Sequence, residues 1–160
     1  YAMVVGCFLR EGLVVSMTRF KKVGPIAEGI PEAFRRICAV DALAQEATEP
    51  GRNLGEVFAD IQDAYAAQGF DADEWRNHHQ GGAAGLAGRE WIATPDGDAP
   101  VAVPQGYAYN PTIRGAKSED THLVTGEGVE LLSETGDWPT RDVSAVGYDL
   151  ELSRHDALSL

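Results

Sequence analysis

The sequence is 160 residues long, 44% hydrophobic and 24% charged, which suits one domain with a buried core and is short for two independent ones. Its formal net charge of −12, from 13 basic against 25 acidic residues, argues against nucleic acid or an anionic membrane surface as partner, because both need a positive footprint. No apolar run approaches the roughly 18 residues of a membrane-spanning helix, and no charged-then-apolar leader pattern opens the sequence.

In chain order, residues 2–9 and 12–20 are two β-prone runs on either side of Arg10-Glu11-Gly12, the pattern of an antiparallel hairpin. From Pro31 to about Thr48, apolar residues Phe34, Ile37, Val40 and Ala44 recur at helical spacing, with Pro31 in the first turn and Pro50-Gly51 as a stop. Asn53 and Glu56 have the spacing of a capping box, and the stripe Leu54, Val57, Phe58, Ile61 and Tyr65 predicts a second helix ending near Gly69. Beyond Trp75 the helical period gives way to short β-prone segments around 89–94, 101–109, 115–125 and 129–133. Pro95-Asp96-Gly97-Asp98 and Gly126-Glu127-Gly128 are expected to join neighbouring strands. From Thr135 onward the pattern carries little periodicity. Strands, two helices, then strands predict an α+β arrangement over residues 1–160, with an antiparallel sheet carrying both helices on one face.

The two cysteines, Cys7 and Cys38, lie in apolar stretches without CxxC spacing. They are expected to be free, buried thiols in a reducing, cytoplasmic setting.

Chemistry concentrates in Asn77-His78-His79-Gln80-Gly81-Gly82-Ala83-Ala84-Gly85-Leu86-Ala87-Gly88-Arg89-Glu90. Small residues in such density allow close approach of backbone to backbone or to a ligand, at a conformational-entropy cost. His78 and His79 would point to opposite faces if extended, so one of the two is expected to face a site. Glu119, in the run Lys117-Ser118-Glu119-Asp120-Thr121, alternates with small neighbours and is expected to point inward. A buried carboxylate needs a partner. The partner is either a cation, from Lys117, Arg114 or Arg89, or a histidine that the carboxylate orients for proton transfer.

These motifs resemble the pita-bread family of methionine aminopeptidase, aminopeptidase P, prolidase and creatinase. The resemblance rests on a glycine-flanked histidine, Arg89-Glu90, Asn110-Pro111, and above all Lys117-Ser118-Glu119-Asp120-Thr121 running into Val124-Thr125-Gly126-Glu127-Gly128. Ser16-Met17-Thr18-Arg19-Phe20 is similar to the family's Ser-Asp-x-Thr-Arg strand. The resemblance implies the carboxyl-terminal part of a pita-bread catalytic-type domain whose amino-terminal portion precedes residue 1. It further implies a homodimer and a small-molecule or peptide substrate.

The family's metallopeptidases hold two divalent ions with two aspartates, a histidine and two glutamates. Here Ser16 stands for one aspartate, Val5 and Gly6 lie near the place of the other, and Asn110 replaces a glutamate. No metal cofactor is therefore expected beyond one weakly held divalent ion on His78 and Glu119.

Creatinase-like relatives work without metal. By that resemblance His78, His79 and Glu119 are the catalytic candidates, and Arg89, Tyr109 and Asn110 the substrate-binding ones. The reading is a metal-poor hydrolase of the Xaa-Pro peptidase and creatinase kind, cleaving a C–N bond. The alternatives are a silent binding module, as in histone chaperones of the same fold, and a metal-dependent aminopeptidase or dipeptidase.

Overall fold

The computed structural model describes residues 2–146 and 151–160. Strands β1 (Ala2–Arg10) and β2 (Leu13–Lys22) pair antiparallel in one continuous register from Ala2↔Lys21 to Arg10↔Leu13. Glu11 and Gly12 close the hairpin with φ of 53° and 85°, two left-handed residues whose twist matches that of the flanking strands.

Helix α1 (Ile30–Glu46) buries Phe34, Ile37, Val40 and Ala44 as the stripe predicts, together with Cys38 and Asp41. Helix α2 (Leu54–Ala67) is capped by Asn53, whose side chain accepts from Gly55 N–H at 2.8 Å. The reciprocal half of the capping box is not made: the Glu56 carboxylate turns to Arg52, 3.9 Å away.

The helices cover a five-stranded antiparallel sheet ordered β4-β3-β5-β8-β9, built from Trp91–Ile92, Gly81–Ala84, Gln105–Tyr109, Asp120–Val124 and Val129–Leu131 respectively. Tyr107 and Tyr109 alternate onto the helix-facing side and join Ile37, Val40, Leu54, Val57, Ile61 and Tyr65 in one apolar cluster. Short strands β6 (Thr112–Ile113) and β7 (Ala116–Lys117) form a small hairpin before β8.

Three parts of this differ from the expectation. The glycine-rich stretch supplies a central strand, β3, because only glycine fits there. A Cβ on Gly81 would lie 2.1 Å from the Ala108 carbonyl oxygen, and one on Gly82 would lie 2.2 Å from that of Trp91. The Pro95–Asp98 turn does not join sheet neighbours, since β4 and β5 flank β3 on opposite sides. Its backbone instead seats the start of α2, with Gly97 and Ala99 carbonyls accepting from Gly55 and Leu54 N–H at 3.0 Å each. The tail also has order: β10 (Thr140–Ser144) pairs antiparallel with β11 (Glu151–His155), and β12 (Leu158–Ser159) pairs parallel with β2.

A buried charge network ties the hairpin, sheet, first helix and tail together. Asp120 takes Arg19 at 2.7 Å on one oxygen, and Arg154 and His155 at 3.1 Å each on the other. Arg154 also pairs with Asp41 of α1, and Ser118 donates to the same Asp41 at 2.6 Å. Burial by itself would raise the Asp120 carboxyl, but His155, Arg154 and Arg19 outweigh it and hold it far below the usual carboxylate range.

Asp120→Asn leaves two arginines short of a carboxylate, and we expect a loss of about 3–5 kcal/mol in urea unfolding at neutral pH. The folded-state value is depressed, so this stability is present above the unfolded carboxyl value near pH 4 and is lost as pH falls through the lower folded value. The gap between wild type and Asp120→Asn should therefore narrow on acidification below about pH 4.

Candidate functional site

Glu119 sits just before β8 and is 4% exposed. Its Oε1 accepts from Arg89 at 3.0 Å, and its Oε2 from Lys117 at 2.9 Å and Thr18 Oγ1 at 2.7 Å. The cationic partner thus comes from Arg89 and Lys117 together. Burial would raise the Glu119 carboxyl, but Lys117, the Thr18 hydroxyl and Arg89 reverse the sign and lower it. This carboxylate stays ionised at neutral pH and has both oxygens committed, which leaves it unsuited to proton exchange with a histidine. In this arrangement Glu119 anchors cations.

Arg89 reaches the site from the loop after β3. Gly88 and Ser16 accept from its terminal nitrogen at 2.5 and 3.3 Å, while its buried Nε–H has no partner. The neighbouring Glu90 is structural: its carboxylate accepts from the Leu86 and Ala87 N–H groups at 2.6 and 3.1 Å and closes the glycine-rich loop.

The two histidines diverge in role. His78 donates from Nδ1 to its neighbour's carbonyl, 2.6 Å away, and stacks on His79 with ring centroids 4.4 Å apart. His79 Nε2 lies 3.5 Å from Asn110 Nδ2, which fits a neutral imidazole accepting from the amide. His79 is exposed at the level of the whole residue, while its imidazole is partly desolvated. That desolvation comes first in lowering its imidazole, followed by His78, Arg89 and Lys117, with Glu119 acting the other way. Of the two, His79 belongs to the Glu119 cluster.

Gln80, which the sequence does not single out, fixes this turn. Its side chain accepts from Tyr65 OH at 2.9 Å and donates to the Trp75 and His78 carbonyls at 2.7 and 2.6 Å. A cavity of about 230 Å³ beside it is lined by Trp75, His78, His79, Gln80, Ile92 and Thr94, with Arg89 and Glu119 outside its lining. His79 is the group common to that cavity and the charged cluster.

Asn110 is buried, with Oδ1 unpartnered. Tyr109 is not a lining residue. It is 1% exposed, faces the helices, shares a 2.8 Å hydrogen bond with Thr48, and burial pushes its phenol well above the usual range. Adjacent residues of a strand point to opposite sides, which separates Tyr109 from Asn110.

At Ser16 the register places Cys7 directly across the hairpin, with Sγ 3.3 Å from Ser16 Oγ. Cys7 is exposed, against the expectation of burial, because it sits on the outer strand of its sheet. Cys38 is buried as expected, and burial pushes its thiol up to about 12.

The residues present do not fit a divalent-metal pair. Ser16 and Asn110 carry no charge, and both Glu119 oxygens are held by cations at hydrogen-bonding distance. Hard cations take their affinity from free carboxylate oxygens. The fallback pair of His78 and Glu119 meets the same obstacle, since both Glu119 oxygens are engaged. Among the described residues, no group of three or more His, Cys, Asp and Glu could hold a metal.

Removing the cation with Arg89→Leu should raise the His79 titration midpoint, since Arg89 now disfavours the imidazolium and Glu119 would be left less neutralised. Following the ring protons of His79 by NMR across pH 4–8, on the order of two units either side of the ordinary histidine value, checks this.

No protein-family model and no curated protein matches the chain. Solved structures do. The dipeptidase PepE from Mycobacterium ulcerans superposes with a TM-score of 0.73 at 19% identity, over 98% of this chain and 39% of that one. The prolidase from Pyrococcus furiosus gives 0.70 at 22% identity, over 83% of this chain and 41% of that one. The N-terminal domain of FACT complex subunit SPT16 from Cicer arietinum gives 0.59 at 14%, over 79% and 33%. The chain thus spans about two fifths of the length of the dipeptidase and prolidase structures. With its two helices and antiparallel sheets, the chain has the pita-bread fold.

Proposed function

We propose that this chain supplies the His79, Arg89 and Lys117 side of a metal-independent hydrolytic site, acting on a C–N bond in a small carboxylated amide, peptide or amidine. The observation that supports the reading is a buried Glu119 carboxylate held by Arg89 and Lys117, with His79, beside Asn110, under the electrostatic influence of all three and its imidazole shifted toward the neutral form. A neutral imidazole can take a proton from water as the water oxygen bonds to the substrate carbon. It then returns that proton to the leaving nitrogen as the C–N bond breaks, so the step balances without a further reactant. Two cations on one carboxylate leave one positive charge in excess, and this favours a substrate carboxylate beside Arg89. The names of the dipeptidase and prolidase with this fold support the reaction class. A homodimer remains part of the reading, by the family resemblance.

A second reading, a binding module without turnover, is favoured by one observation in particular: Glu119 is saturated and cannot relay a proton. The SPT16 domain, from a subunit of the FACT complex, is a like-folded protein.

A panel of dipeptides, including Xaa-Pro, and of amidino acids separates the two. Hydrolysis by the intact protein should persist in a chelator, and His79→Asn should lower kcat by about 10²–10⁴. Ligand binding that depends on Arg89, without turnover of any panel member, selects the binding module. Turnover abolished by chelator and restored by a divalent ion overturns the metal-independent reading.

A further inference from the structure

A cavity of about 180 Å³ opens where the end of β2, the start of α1 and the tail converge, and none of its lining residues belongs to the Glu119 cluster. Phe20, Ile26, Ile30, Phe34 and Ala157 make its apolar wall, with the Phe20 and Phe34 rings edge to face at 5.0 Å between centroids. Lys22, Arg141, Asp156 and Ser159 supply its polar lining. Strand geometry places the ammonium. Side chains two apart along a strand share a face, so Lys22 stands on the same side of β2 as Phe20. Ser159 pairs in register with Lys22 across β2 and β12 and lies beside it on that face.

The charges around this cavity do not balance. Asp156 is fully taken up, with Oδ2 accepting from Arg141 at 2.6 Å and Oδ1 from the Ala157 N–H at 2.7 Å. Glu32 acts on Arg141 electrostatically, but its two oxygens accept from Arg35 at 2.5 and 3.0 Å. Among the described residues, Lys22 makes no ion pair, and Arg141 spends one terminal nitrogen on Asp156 while the other makes no bond. Two cations thus line the cavity against one satisfied carboxylate, in a chain whose formal net charge is −12. A cationic ligand would meet like charge here, and a monoanion restores neutrality through charge-assisted hydrogen bonds.

Size and wall chemistry give the rest of the ligand. An apolar cavity of roughly 150 Å³ takes one benzene ring, so this one has room for a single ring with a carboxylate reaching Lys22 and Arg141. Free phosphate would leave the phenylalanine and isoleucine wall without a partner.

We propose that this cavity binds a small apolar monocarboxylate, with one aromatic ring or a branched chain of that size against Phe20, Ile26 and Phe34 and its carboxylate on Lys22 and Arg141. The site is independent of the hydrolytic reading and shares no side chain with it.

The test titrates the intact protein with phenylacetate, followed by calorimetry and by NOEs from the ring protons to the Ile26 and Ile30 methyl groups. Saturable binding with those NOEs is expected. Phenylacetamide, equal in size but uncharged, and acetate, which lacks the ring, should each bind about fivefold or more weakly. Lys22→Gln changes an exposed side chain at a strand end, so the fold should be kept while affinity for phenylacetate falls by a similar factor. Ile26→Trp fills the cavity and should abolish binding. No saturable binding, NOEs confined to other residues, equal affinity for phenylacetamide or acetate, or unchanged affinity in either variant overturns the proposal.

Discussion

Two consecutive carboxylates, Glu119 and Asp120, face two consecutive residues of β2, Thr18 and Arg19, and the rest of the structure is arranged around that meeting. Thr18 hydrogen-bonds Glu119 and Arg19 pairs with Asp120, while the Thr18 N–H donates to the Glu119 carbonyl at 3.0 Å. Alternation along extended chain sends each pair of side chains to opposite sides. Glu119 therefore meets the cations of the candidate site, and Asp120 meets the buried network running to Arg154, His155 and α1. One backbone contact thus sets both the charge of the site and the closure of the domain.

Such pairing is a demanding way to hold a fold. Charges this buried carry a large desolvation cost, which is offset only when each is met by a partner in good geometry. Here the partners come from segments more than a hundred residues apart, Arg19 to Asp120 and Asp41 to Arg154. Misdocking of the hairpin or of the tail would leave bare charges in the core, so the network selects this topology over other compact ones. Its contribution is to specificity more than to net stability.

The same economy of partners shapes the site. With both Glu119 oxygens engaged, the proposed proton chemistry rests on His79, whose imidazole is lowered by burial and by nearby cations. Gln80 holds the turn that presents the histidines, and the glycines of β3 let this turn lie against β5 without a side chain between. The uncharged side chains of Ser16 and Asn110 and the engagement of both Glu119 oxygens by cations leave no free carboxylate oxygen among these three residues for a hard cation.

The sequence by itself determined both helices, the first hairpin, the antiparallel character of the sheet and the inward aim of Glu119. These rest on local rules: periodicity of apolar residues, glycine and proline at turns, and alternation along strands. Only the tertiary structure decided that the glycine run is a buried strand, that Tyr109 belongs to the core, that Cys7 faces Ser16, and that both oxygens of Glu119 are held by cations. Each of these depends on which distant segment lies alongside. Strand register, close backbone approach and charge pairing across a hundred residues leave no periodic trace in the chain, because the partner that gives each residue its meaning is brought to it by folding.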